Sequence, residues 1–360
     1  MRRWPPLAWP LVLAGMAPVA CGARTGLLVP GETSDAGPDA VDAATCTGSE
    51  IPLQVNAPNL YFVLDASGSM NEQAKWTNVR TVVADLMGQL GPRALFGAAV
   101  FPAPSGDACA TGVEVMAPLL GDSQGATASA FLAATSLTPN GGTPTAPTLE
   151  ALVPELRAFT QVTYVILATD GGPNCNPTLT CSADLCTSNM DGVPGCPAGG
   201  PPNCCDAAGV GGIGCLDGQR SVQAVTDLRA AGIETFVIGI PGSAPYAAVL
   251  DQLAVAGGAP RASEPFYYRV DTADTSALAG ALAQIAAQAT ASCTFTLTRA
   301  PVDPGAFNVY VGGALVPRDG PDGWSLQGLK LTLEGATCDA LRTGRALSVR
   351  VVEGCTTVTR

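Results

Sequence analysis

An acid and two hydroxyl residues alternate in Asp65-Ala66-Ser67-Gly68-Ser69, directly after four apolar, β-prone residues. Side chains at alternate positions of an extended loop point the same way, so the oxygens of Asp65, Ser67 and Ser69 can face one point. Oxygen donors with a single carboxylate suit a hard cation such as Mg²⁺, Mn²⁺ or Ca²⁺. Asp and Ser are also common helix caps, so this segment alone is equally compatible with a capped helix.

Two later segments carry matching chemistry. A glycine-rich turn at 141–142 places the hydroxyl of Thr143 just before a predicted helix, and Asp170 follows a second apolar, β-prone run. The carboxyl ends of the strands in an open α/β sheet line a single crevice. We therefore expect Asp65 and Asp170 to face one another at that edge of the sheet.

These residues resemble the metal-ion-dependent adhesion site of the von Willebrand factor type A (VWA) family, which joins D-x-S-x-S, a threonine and a distant aspartate. The resemblance identifies the metal ligands as Asp65, Ser67, Ser69, Thr143 and Asp170. It implies a bound divalent cation, with Mg²⁺ the first candidate and Mn²⁺ or Ca²⁺ the alternatives. It also implies a coordination position that accepts a carboxylate from a protein or extracellular matrix partner. A cation with few anionic protein ligands stays electrophilic enough to take one more.

The N-terminus has the composition of an export signal. Two arginines precede a short apolar stretch that ends at Ala20, which predicts a signal peptide over residues 1–20. The next residue, Cys21, resembles the lipidated cysteine of bacterial lipoproteins. The chain has 13 cysteines, an odd number, so lipidation of Cys21 leaves an even set to pair. Plain secretion is the alternative.

Residues 21–45 are rich in Ala, Gly, Pro and Asp, which predicts a flexible acidic linker behind a lipidated N-terminus. We therefore expect an exported protein of the bacterial cell envelope, at the outer membrane or cell surface, that contacts the membrane only through its N-terminal lipid. A net charge of −12 argues against nucleic acid and anionic membrane surfaces as partners. The chain has no histidine and only two lysines, Lys75 and Lys330, which disfavours catalysis.

The middle of the chain alternates apolar, β-prone runs with segments of helical periodicity. This pattern predicts an α/β fold with a doubly wound, mostly parallel six-stranded sheet flanked by helices, and we expect this VWA domain to span residues 46–290. After the strand before Asp65, strands are expected near 95–101, at an edge near 113–117, in the run that ends at 170, and near 233–240 and 266–270. Helices are expected near 76–90, 123–134, 145–158, 222–228, 245–256 and 278–289.

Residues 171–217 interrupt this pattern with seven cysteines among Gly, Pro, Asn and Ser. These are Cys175, Cys181, Cys186, Cys196, Cys204, Cys205 and Cys215. A segment without core-forming residues needs crosslinks, and the lack of histidine and of paired C-x-x-C motifs favours disulfides over zinc. Because seven is odd, one cysteine needs an outside partner, for which Cys109 is the nearest candidate. The insert leaves the sheet after Asp170, so it either shapes which partner reaches the cation or is a stabilising flap.

Residues 291–360 contain short β-prone runs separated by Gly, Pro and Asp, which predicts a small C-terminal β-rich module. Strands are expected near 294–298, 307–311, 329–333 and 347–352. The module contains Cys293, Cys338 and Cys355. A bond between Cys46 and Cys293 would join the two ends of the α/β domain and leave Cys338 to pair with Cys355.

Three functions are compatible with these features. The first is an exported, lipid-anchored binding protein that captures an acidic group of a protein or matrix partner through a divalent cation. The second is a structural or assembly component of the cell envelope whose metal site does not exchange partners. The third is a metal-dependent hydrolase, which a carboxylate-lined crevice allows but which the missing histidine disfavours. The sequence therefore favours a binding protein over an enzyme.

Overall fold

The computed structural model describes residues 48–54, 57–104, 106–272, 274–290 and 292–359. The predicted signal peptide, Cys21, the linker and Cys46 lie outside these ranges. Within them, none of the helices is both long and apolar enough to cross a membrane.

Strands and helices alternate through most of this part of the chain. The strands are β1 (Ser49–Glu50), β2 (Leu53–Gln54), β3 (Asn59–Asp65), β4 (Leu95–Phe101), β5 (Val113–Leu120), β6 (Thr163–Thr169), β7 (Glu234–Gly239), β8 (Tyr268–Arg269), β9 (Thr294–Leu297), β10 (Phe307–Val311), β11 (Ala314–Val316), β12 (Trp324–Gln327), β13 (Lys330–Leu333) and β14 (Val349–Glu353). The helices are α1 (Lys75–Leu90), α2 (Ala126–Ala134), α3 (Thr145–Ala158), α4 (Thr187–Met190), α5 (Gly218–Ala230), α6 (Ala247–Gly257), α7 (Thr275–Ala289) and α8 (Gly335–Arg342).

A six-stranded sheet in the order β5-β4-β3-β6-β7-β8 forms the centre of the α/β domain. Its strands are parallel except β5, which pairs antiparallel with β4 at one edge. The predicted doubly wound, mostly parallel fold is therefore confirmed. The last strand, β8, is shorter than expected because the backbone amides of Phe266 and Tyr267 donate to the side chain of Asp251 instead of extending the sheet.

Successive residues of the central strand β3 enter two different hydrophobic cores. Leu60, Phe62 and Leu64 pack with residues of α1, α2 and α7, whereas Tyr61 and Val63 pack with residues of α3, α5 and α6. The alternation follows from the strand geometry, in which neighbouring side chains point to opposite faces. A strand buried on both faces reads as a continuous apolar run, and β3 is fully buried along its length.

The β-rich module consists of two four-stranded sheets, in the orders β1-β14-β10-β11 and β12-β13-β9-β2. Its core is centred on Trp324, which is fully buried, lies 4.7 Å from the ring of Phe307 and donates from Nε1 to the carbonyl of Val316. Because β1 and β2 pair with β14 and β9, residues 49–54 belong to this module. From the sequence they were expected in the α/β domain, since strands of two residues carry no periodic pattern. The α/β domain is thus inserted into the module.

Arg93 connects the two parts. Its guanidinium is buried and donates to the backbone carbonyl of Leu347 in the module and to both the carbonyl and the hydroxyl of Thr290 after α7. Burial lowers the pKa of Arg93 to about 10, which still leaves it charged at neutral pH. Hydrogen bonds to three oxygen atoms replace the water that the guanidinium loses on burial.

The disulfides of the module differ from the expected pairing. Cys293 is bonded to Cys338, with 5.4 Å between their Cα atoms, so the expected Cys46–Cys293 and Cys338–Cys355 bonds are wrong. The reason is that β9 pairs with β13, and α8, which carries Cys338, begins directly after β13. This connection brings Cys338 to the start of β9. Cys355 is disulfide-bonded as well.

The cysteine-rich insert is held together by four disulfides. They are Cys109–Cys175, Cys181–Cys215, Cys186–Cys205 and Cys196–Cys204. Cys109, in the loop after β4, provides the outside partner that the odd number of cysteines requires. The sulfurs of Cys181, Cys205 and Cys215 lie within 4.8 Å of one another, but all three are bonded in disulfides. They are therefore not thiolates, the form in which cysteine binds zinc.

Candidate metal centre

Two neighbouring strands position the acids of the site. Asp65 is the last residue of β3, and Asp170 directly follows β6. These strands run parallel and in register, with Leu64 opposite Ala168, so both acids reach the same edge of the sheet. The expected meeting of Asp65 and Asp170 at the carboxyl ends of the strands is what the structure shows.

Hydrogen bonds join four of the five predicted ligands into one cluster. The Oγ atoms of Ser67 and Ser69 lie 3.1 Å apart, and Ser69 Oγ donates to Asp170 Oδ1 at 2.8 Å. Asp65 accepts from the backbone amide of Ser67 at 2.8 Å and from Thr169 Oγ1 at 2.5 Å. Thr169 was not identified from the sequence, although it stands directly before Asp170. The two carboxylates and two hydroxyls thus form one contiguous group of oxygens.

The fifth predicted ligand, Thr143, lies beside this cluster. Its loop is held against the first one because the amide of Gly68 donates to the carbonyl of Gly141 at 2.9 Å. A methyl group built on Gly171, the residue after Asp170, would lie 3.6 Å from Thr143 Oγ1. The structure therefore brings all five predicted residues to one edge of the sheet.

Asn174, at the start of the insert, fixes the backbone of Thr143 from both sides. Its side-chain Oδ1 accepts from the amide of Thr143 at 2.8 Å, and its own amide donates to the carbonyl of Thr143 at 3.0 Å. The neighbouring Cys175 is bonded to Cys109, which ties this part of the insert to the loop after β4. Asn174 was missed in the sequence because an isolated asparagine in a loop gives no signal.

Burial makes the two carboxylates unfavourable neighbours. Asp65 is fully buried, and its pKa is raised to about 7, first by the loss of water and then by repulsion from the carboxylate of Asp170. The hydrogen bonds from Thr169 and Ser67 act in the opposite direction. A bound cation would stabilise both charges. The oxygen donors fit a hard cation, and the residues of the site suit Mg²⁺ or Mn²⁺ better than a soft metal.

A lysine also points into the site. Lys75, the first residue of α1, is only 5% exposed, and its Nζ donates to Asp170 Oδ2 at 2.8 Å and to the carbonyl of Ser69 at 3.2 Å. No role was predicted for Lys75 from the sequence, where it is one of only two lysines. Its rarity and its position six residues after Ser69 were the only signals available.

The insert and a small cavity form the rim of the site. Asp191 of the insert accepts from the hydroxyl of Tyr246 at 2.7 Å. Burial raises the pKa of Asp191, and the carboxylate of Asp170 raises it further.

A cavity of about 90 Å³ opens beside Ala66, between the loops at 102–108 and 137–140. A larger cavity, about 190 Å³, lies between α1 and α7 and contains none of the predicted ligands.

No protein-family model matches the sequence, and no curated protein matches it. Similar solved structures include the pilus adhesin SpaC of Lactobacillus rhamnosus GG, with 18% identity and a TM-score of 0.47 over 84% of this chain and 40% of that one. The von Willebrand factor domain of the type V pili tip protein Mfa5 from Porphyromonas gingivalis has 14% identity and a TM-score of 0.43, over 66% of this chain and 94% of that one. A von Willebrand factor type A protein from Catenulispora acidiphila has 16% identity and a TM-score of 0.40, over 84% and 60%. At these scores the likeness carries no conclusion about function.

The arrangement of the α/β domain is compatible with the resemblance to the VWA family. The D-x-S-x-S segment ends the central strand of a six-stranded, mostly parallel sheet, and the second acid ends the strand beside it. Both features agree with the resemblance seen in the sequence.

Proposed function

We propose that this protein binds a partner at the cell surface through a divalent cation, Mg²⁺ in the first instance, that the VWA-type site holds. The ligands would be Asp65, Ser67, Ser69, Thr143 and Asp170. The partner would be a protein or matrix component that presents a carboxylate. The observation that carries this proposal is the contact of Ser69 Oγ with Asp170 Oδ1, which joins residues 101 positions apart into one group of oxygens.

When bound, the cation supplies an electrophile for the carboxylate of the partner. The residues of the chain would hold the cation and leave one side of it accessible to the partner. Asp65 is fully buried, which suits a ligand that anchors the ion from the protein side, whereas Ser69 is exposed and lies on the side open to a partner. The hydroxyls are neutral, so they add coordination without removing the attraction of the ion for a further anion.

Export and lipid anchoring at Cys21 complete the proposal. They rest on residues 1–21 of the sequence, which lie outside the described ranges. The five disulfides among the described residues support an oxidising, extracytoplasmic environment. Mass spectrometry of the protein purified from its native membrane would detect the lipid on Cys21, and a Cys21→Ser variant should appear unlipidated in the soluble fraction. An unmodified Cys21 in the native protein would contradict the anchor.

The cation site is tested by isothermal titration with Mg²⁺ and Mn²⁺ after removal of bound metal by a chelator. Wild type should bind one ion, and a variant that combines Ser67→Ala with Ser69→Ala should not bind at the same concentrations. Ser129→Ala is the matched control because it removes an exposed hydroxyl from α2, a helix that carries none of the predicted ligands. A wild type that takes up no ion would contradict the proposal.

The role of the cation in partner binding is tested by affinity capture from the native cell surface. Partners retained by the immobilised wild type in Mg²⁺ should be released by a chelator, and the double serine variant should not retain them. A complex that resists the chelator would indicate a structural component of the envelope instead. Turnover of a substrate that disappears in Asp65→Ala would indicate a hydrolase.

A further inference from the structure

The ammonium of Lys75 contacts two residues of the proposed cation site, Ser69 and Asp170. It lies 2.8 Å from Asp170 Oδ2 and 3.2 Å from the carbonyl oxygen of Ser69, so it contacts the same residues that would coordinate a metal. Its third neighbour is Glu72, whose carboxylate is exposed and 3.7 Å away. The side chain of Lys75 thus makes its hydrogen bonds to residues of the site and has little contact with water.

The backbone directly before Lys75 has an unusual conformation. Gln73 and Ala74 have φ angles of 50° and 57°, in the left-handed region that is unfavourable for residues with a side chain. These two residues connect the loop of Ser69 to the first turn of α1. On the other side, a methyl group built on Gly242 would lie 3.2 Å from Lys75 Nζ. The lysine therefore sits in a slot that is closed by the chain on both sides.

The charge of Lys75 changes what a cation would meet. Asp65 and Asp170 contribute the two carboxylates of the site, and Lys75 neutralises one of them through a direct ion pair. The affinity of an oxygen site for a divalent cation depends on how many charged ligands it offers. A fixed ammonium also repels the ion directly, and water screens this repulsion little because Lys75 and its partner Asp170 are both buried.

We propose that Lys75 keeps the affinity of the site for a divalent cation low. This inference rests on the proposed function, because it concerns the same five ligands. With a divalent ion bound, two carboxylates and the ammonium leave the site with a net positive charge, which attracts an anionic group. The ion alone is then held weakly, and the carboxylate of a partner supplies the missing negative charge. Lys75 thereby couples retention of the cation to the presence of the partner.

The test is the affinity for Mn²⁺ alone, measured from the paramagnetic resonance signal of the free ion. Lys75→Gln keeps a donor toward Asp170 but removes the charge, and we expect it to bind Mn²⁺ on the order of tenfold more tightly than wild type, or better. Lys75→Met should bind at least as tightly as Lys75→Gln. Lys75→Arg keeps the charge and should resemble wild type. The control is Lys330→Met, which removes the other lysine of the chain, at an exposed position of β13.

The outcomes separate the two proposals. Equal or weaker Mn²⁺ binding by both neutral variants, with wild type binding normally, would overturn the role of Lys75 and leave the cation site in place. Uptake by the neutral variants but not by wild type would support it. No uptake by wild type or by any variant would overturn the cation site itself, and the role of Lys75 with it. Circular dichroism checks that each variant is folded, and the use of two neutral variants guards against one that does not fold.

Discussion

Replacing Asp65 with asparagine should remove a pH dependence from the stability of the metal-free protein. The carboxyl of Asp65 is fully buried next to Asp170, and its pKa is raised from 3.8 to about 7. In the unfolded chain the same carboxyl loses its proton at the ordinary pKa. The folded protein therefore keeps a proton between these two values that the unfolded chain has already lost. Stability from this group is complete below about pH 4 and is lost as the pH rises toward 7.

The size of the effect follows from the difference between the two pKa values. Each tenfold change in proton affinity corresponds to roughly 1.4 kcal/mol, so ionisation of Asp65 should lower the free energy of unfolding by about 4 kcal/mol. Asparagine has a similar shape and no charge to desolvate. Its profile should lack this decrease, and at pH 8 the metal-free Asp65→Asn protein should be more stable than wild type.

The assay is unfolding by urea, followed by tryptophan fluorescence between pH 4 and 8 in the presence of a chelator. Asp85→Asn, at an exposed position of α1, is the matched control and should follow the wild-type profile. Repeating the series with Mg²⁺ should reduce the decrease for wild type, because the ion binds the ionised carboxylate, and should leave Asp65→Asn unchanged. Parallel profiles for wild type and Asp65→Asn in chelator would refute the reasoning.

Three further predictions concern other parts of the structure. Asn174→Ala removes the side-chain acceptor for the amide of Thr143 and should weaken Mn²⁺ binding several-fold in the same resonance assay; an unchanged affinity would show that Thr143 is positioned without it. Cys355 is disulfide-bonded while the other described cysteines pair with one another, so with Cys21 lipidated, peptide mapping of the non-reduced protein should find Cys46 bonded to Cys355, and Cys46 linked to another cysteine would contradict this. Trp324→Ala should destabilise the β-rich module by about 3–5 kcal/mol in urea unfolding, since it empties the centre of that core; a loss below 1 kcal/mol, on the order of a surface substitution, would be inconsistent with the packing.

The sequence was sufficient for the centre of the α/β domain because strands β3, β4, β6 and β7 are buried on both faces. A strand such as β3 shows a continuous apolar run that ends in a polar loop, and this contrast marks both the strand and its carboxyl end. Asp65 and Asp170 stand at two such ends, so their meeting could be predicted. The helical spacing of Trp76, Val79 and Leu86 likewise predicted α1, and all three are buried.

Features that depend on contacts between distant segments were not predictable. Strands β1 and β2 have two residues each, too few for a periodic pattern, and only their pairing with β14 and β9 shows where they belong. The pairing of Cys293 with Cys338 depends on the connection from β13 to α8 in the same way. The contact of Lys75 with Asp170 joins residues 95 positions apart, and the left-handed backbone of Gln73 and Ala74 just before Lys75 has no signal in either residue type.

The insertion of the α/β domain has a consequence for how such a protein can be rebuilt. Leu53 pairs with Leu297, so the chain enters and leaves the domain on adjacent strands, roughly 5 Å apart. A domain whose ends are this close can be exchanged as a cassette, because its host needs no rearrangement to accept another segment. A short turn joining β2 to β9 would close the module without the α/β domain, and the same two junctions would accept a different domain.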